Sequence, residues 1–153
     1  MSLPDNITLK SLGLKLEPLR IKSLLRLLRG ASASASPDLI LQPGEACFLR
    51  AAASLKARNP VDASQQAAIL ENFCGEIVAA GNQAYAAIRR GDAEVPACTL
   101  AVADGTFAMV TGSIPILDLR TGETVANMKK APIELVCYNI AAIAATLGNS
   151  QGD

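Results

Sequence analysis

The chain contains no histidine and no tryptophan. Without histidine there is no Ser-His-Asp or Cys-His nucleophile pair and no H-E-x-x-H zinc site. The side chain that most often acts as a general base near neutral pH is missing as well. Neither G-x-G-x-x-G nor G-x-x-x-x-G-K-[ST] occurs, so both nucleotide-binding fingerprints are absent. Aromatic residues make up 3% of the chain, which leaves Ala, Leu, Ile and Val to build the core.

Net charge is also missing. Fourteen basic residues balance fourteen acidic ones, so no global field draws the protein to nucleic acid or an anionic membrane. The basic N-terminal segment holds no aromatic ring on which a base could stack, and nucleic acid is not an expected partner. No apolar run is long enough to span a bilayer. The longest, Ile133 to Leu147, is interrupted by Glu134 and Asn139 and falls short of the roughly 20 residues required. Pro4 and Asp5 stand where a signal peptide would begin its apolar region. The expected location is the cytoplasm, or a complex formed there.

The four cysteines, Cys47, Cys74, Cys98 and Cys137, are widely spaced and form no C-x-x-C pair. A chain this long can build a core without disulfides, so buried, reduced thiols are expected. Cys47 lies close to a helix start, where a thiol can be activated, but Phe48 and Leu49 beside it mark a core position. Carboxylates do not cluster: Glu71 and Glu76 are five apart, and Asp104 precedes a glycine in a turn signal. The inventory implies no catalytic residue, no cofactor-binding residue and no metal ligand.

What remains is a chain of 153 residues, half of them hydrophobic and 18% charged, the size and composition of one folded domain. Pro18 is placed to open a helix, Ile21, Leu24, Leu25 and Leu28 supply its apolar period, and Gly30 ends it. Residues 31–37 alternate Ala and Ser up to Pro37, as a linker does. A second helix is expected from Pro43 to about Arg58. A third is expected from a cap at Asn59 and Pro60, closing at Gly91. Gly75 and Gly81 inside the third helix call for a close backbone neighbour or an interruption.

From Cys98 to Met128, β-like runs alternate with Asp104-Gly105, Thr111-Gly112 and Thr121-Gly122, which reads as a four-stranded antiparallel meander. An apolar helix is expected from Pro132 onward, buried between the sheet and other helices or in a subunit contact. The fold class is α+β: three N-terminal helices, the meander and a buried C-terminal helix. Residues 1–36 are read as an arm carrying a basic helix and a linker, and residues 37–153 as a single domain.

Lys22, Arg26 and Arg29 fall at i, i+4 and i+7, a basic stripe opposite Leu24, Leu25 and Leu28. Such a helix either docks on a partner or covers its own core and leaves a solvated outer face. With the excess of alanine and apolar helix surface, the expectation is a non-enzymatic structural or assembly subunit. It would form a homo-oligomer or a larger protein assembly, of which a virion is one example. The alternative is a regulatory domain that binds a small molecule between the meander and the apolar helices.

Overall fold

Pro18 occupies the first turn of helix α1 (Pro18–Arg29), where its missing N–H has no intrahelical partner to lose. Gly30, at φ 88°, ends the helix and returns its N–H to the Arg26 carbonyl. The computed structural model describes residues 4–105, 107–112 and 133–147. Among these, four α-helices and two small antiparallel sheets form a mixed helix-and-strand fold.

Helix α2 (Pro43–Arg58) begins with a reciprocal cap, in which the Gln42 backbone N–H donates to Glu45 Oε1 at 2.8 Å. Its C-terminus corrects the expected start of α3 (Ala63–Arg90). Asn59 does not cap α3; at φ 50° it is the left-handed C-cap of α2. Asp62 takes the N-cap role instead, accepting from the Gln65 backbone N–H at 2.8 Å. An Asn-Pro pair reads equally well as an end and as a beginning, and the cap fell three residues later. Gly91, at φ 75°, closes α3 as expected.

The lead-in to α1 is tied to the body. Strand β1 (Ile7–Thr8) pairs antiparallel with β2 (Ile40–Leu41), and a 3-10 turn follows at Lys10–Leu12. Ile7, Leu9, Leu12, Leu24 and Leu25 join Phe48, Leu49, Leu55, Leu70 and Ile77 in one buried cluster.

The second sheet has β3 (Thr99–Ala103) at its centre, with β4 (Phe107–Thr111) on one side and β5 (Leu135–Asn139) on the other. Leu100 faces Val110 across one ladder and Tyr138 across the other. The β3–β4 hairpin turns at Asp104 and Gly105, both with positive φ, as the Asp-Gly pair predicts. Gly112 follows β4 without a positive φ. The runs Ser113 to Leu119 and Glu123 to Met128, and the Thr121-Gly122 turn, lie outside the described residues. The count of four meander strands rests on them.

Strand β5 is the largest correction to the sequence reading. Residues 135–139, expected in the terminal helix, form a strand, and helix α4 (Ile140–Thr146) starts only after it. A continuous apolar run does not distinguish a buried strand from a buried helix by periodicity. Two side chains decide it, one distant in sequence and one at the strand's own end. The Asp104 carboxylate accepts from the backbone N–H groups of Ile133 (3.2 Å) and Glu134 (2.8 Å), fixing the strand beside the hairpin. Asn139 then caps α4, its Oδ1 accepting from the Ala142 N–H at 3.0 Å.

Candidate docking surface

Helix α1 divides cleanly into two faces. Leu24 and Leu25 are fully buried against the protein's own core, with Ile21 and Leu28 half-buried beside them. These leucines, three of them predicted docking residues, are therefore engaged within the chain.

Arg29 is engaged too. Its Nε donates to Glu45 Oε2 at 2.8 Å and its Nη2 to Glu45 Oε1 at 2.7 Å, a bidentate pair. The same Nη2 donates to the Ile40 carbonyl at 2.8 Å. Since Glu45 also accepts the Gln42 N–H, Arg29 joins the end of α1, strand β2 and the start of α2. Burial pushes the Glu45 carboxyl upward, but the hydrogen bonds from Arg29 and the Gln42 backbone outweigh it and hold its pKa below the ordinary value.

Lys22 and Arg26 remain exposed, and neither forms an ion pair with a described residue. Two apolar side chains share their outward face: Leu19 is 79% exposed and Leu27 42%. Sequence reasoning missed both, although each stands off the stripe of Ile21, Leu24, Leu25 and Leu28. The free face of α1 is thus Leu19, Lys22, Ser23, Arg26 and Leu27, at i, i+3, i+4, i+7 and i+8.

Helix α3 presents an opposite surface. From Ala63 to Ile88 it contains no cation. Glu71 and Glu76 are exposed on either side of a strip holding Ala68, Asn72, Gly75 and Ala79. No described residue lies within 4 Å of where a Gly75 side chain would begin, so none of them is the close neighbour predicted there. At Gly81 it is present, supplied by Gly44 and Cys47 of α2. Asn82 reinforces that contact by accepting the Gly44 N–H at 2.7 Å, a link with no sequence signal.

Burial raises all four thiols above their ordinary value. It pushes Cys47 up to about 12, against a small opposing pull from Arg50. All four are free. Two depart from the expected burial: Cys74 is half-buried and Cys137, on β5, is exposed. No group of three potential metal ligands occurs among the described residues, and none of their helices is long and apolar enough to cross a membrane.

A cavity does lie between the sheet and α3, lined by Ile69, Phe73, Val102 and Ala108 among others. Its volume is about 240 Å³, below the roughly 300–1,000 Å³ of most small-molecule sites. Comparison with known protein families, curated protein sequences and solved structures finds no match for this chain.

Proposed function

We propose that the protein is a non-enzymatic assembly subunit that associates with further copies of itself, the outward face of α1 docking on the outward face of α3. The observation that carries this reading is the complementarity of the two free faces. One offers Lys22 and Arg26 beside protruding leucines. The other offers Glu71 and Glu76 flanking a strip of Ala68, Asn72, Gly75 and Ala79, with open space at Gly75 among the described residues. At 1.5 Å rise per residue, the two cations lie about 6 Å apart along their helix and the two acids about 7.5 Å apart along theirs. If only one α1–α3 contact forms between two copies, it is heterologous and generates a ring or an open filament; if each α1 meets the other copy's α3, the same contacts close a two-fold pair.

A charge swap tests this. Sedimentation velocity over a wide concentration range should show association that weakens with salt, because exposed charges are screened. Lys22→Glu/Arg26→Glu should abolish it, and so should Glu71→Lys/Glu76→Lys. Mixing the two variants should restore a hetero-association, since each retains one native face and one reversed face that now match. A strictly monomeric protein at low salt, or no recovery on mixing, overturns the proposal. The small-molecule reading is less well supported at the sheet–α3 cavity because of that cavity's size.

A further inference from the structure

Between the 3-10 turn, α2 and α4 lies a second, larger groove of about 530 Å³. Its floor on α2 is Arg50, Ala53, Ser54 and Ala57, at i, i+3, i+4 and i+7, with Lys56 at the edge. Leu12, Leu14 and Ile143 supply apolar walls, and Lys15 stands at the rim opposite. Among the described residues its lining therefore has three cations, aliphatic walls and no carboxylate.

Arg50 is the telling residue. Arginine is rarely buried without an anionic partner. Here the half-buried guanidinium forms no ion pair with a described residue. Its Nη2 makes one long hydrogen bond, 3.3 Å, to the Leu12 carbonyl. Its Nε is buried with no hydrogen-bond partner among the described residues. A guanidinium in the groove lining, with Lys15 and Lys56 in the same lining, supplies the positive charge and donors that favour phosphate.

We infer that this groove binds a small phosphate monoester carrying an aliphatic body, the phosphate taken by Arg50, Lys15 and Lys56 and the chain lying along Leu12, Leu14 and Ile143. A phosphate monoester carries close to two negative charges at neutral pH, so three cations suit it better than a carboxylate. The volume is within the range of small-molecule sites. The site shares no residue with the α1 and α3 faces, so it stands whether or not the protein self-associates.

The test uses the full chain at low ionic strength, with octyl phosphate as the probe and calorimetric titration as the readout. Octanoate, octanol and inorganic phosphate serve as comparisons. Octyl phosphate should bind at least about tenfold more tightly than any of the three. Lys15→Gln/Lys56→Gln, two exposed changes, should weaken it by about tenfold or more, and Arg50→Gln should do so more severely. Lys22→Gln/Arg26→Gln on α1 should leave it unchanged. No heat or shift with octyl phosphate overturns the inference. So does octanol or octanoate binding as tightly, or affinity indifferent to Lys15 and Lys56.

Discussion

Gly81 of α3 lies directly against Gly44 of α2: a side chain begun at Gly81 would meet the Gly44 Cα at 2.8 Å and the Cys47 Cβ at 2.9 Å. A side chain begun at Gly44 would meet the backbone of Val78. Both glycines are needed because the two helices cross at backbone contact. Gly81→Ala should therefore cost about 1–3 kcal/mol by overpacking, and Gly44→Ala more, since its added carbon would overlap the Val78 carbonyl more deeply than anything met at Gly81. Gly75→Ala is the control. It sits in the same helix with open space beside it, and should gain about 0.5–1 kcal/mol from helix propensity alone. Chemical denaturation of the three variants checks the order.

Helices α1 and α2 and the end of α3 were legible because they carry chemistry at their ends: Pro18 and Pro43 at first turns, and Gly30 and Gly91 at closures. The Asp104-Gly105 hairpin was legible for the same reason. The strand at 135–139 was not, because its identity depends on the distant Asp104 carboxylate and on ladder pairing with β3. A basic stripe could be read on α1, but not that Arg29 belongs to Glu45, which lies 16 residues away. Nor could periodicity announce that the Arg50 Nε is buried with no hydrogen-bond partner among the described residues.

The Arg29–Glu45 pair should make the protein acid-sensitive. The Glu45 carboxyl has a pKa below its ordinary value of 4.5 in the folded state, so the unfolded chain takes up the proton first. The stability this gives is fully present above that ordinary value and is lost as pH falls through the folded one. Glu45→Gln should flatten the acid limb of the stability curve. Arg29→Leu should cost about 2–3 kcal/mol at neutral pH, less than a fully enclosed pair because the Arg29 side chain keeps 32% exposure. The penalty of Arg29→Leu should shrink in acid, where the carboxyl it leaves behind is neutral. An equal cost at both pH values would show that Arg29 contributes through packing and its bond to the Ile40 carbonyl rather than through Glu45.

Thiol accessibility should separate the cysteines. Cys137 is exposed, whereas Cys47 is fully buried with its thiol pushed up to about 12. An aromatic disulfide reagent should label Cys137 in a first phase that Cys137→Ser removes. Cys47 should react only as fast as the protein opens, and accelerate with denaturant. Early labelling of Cys47 in native protein would contradict its place in the α2–α3 contact.

Tyr138 offers a substitution that should stabilise. It is 6% exposed on β5, facing Leu100 of the central strand. Its hydroxyl is buried with no hydrogen-bond partner among the described residues. An unsatisfied buried hydroxyl costs about 1–3 kcal/mol, while the ring itself contributes packing, so Tyr138→Phe should keep the favourable part and remove the cost. The alkaline limb gives a second readout. Burial, opposed weakly by Arg58, raises the phenol from 10.0 to about 12. The unfolded chain therefore ionises first, and the stability due to the neutral phenol is whole below the unfolded value and lost as pH rises through the folded one. Tyr138→Phe should raise the thermal midpoint at neutral pH and lack that alkaline decline. A variant less stable than the parent by more than about 1 kcal/mol would mean that the hydroxyl is held by a hydrogen bond after all, at a site where packing alone cannot explain the loss.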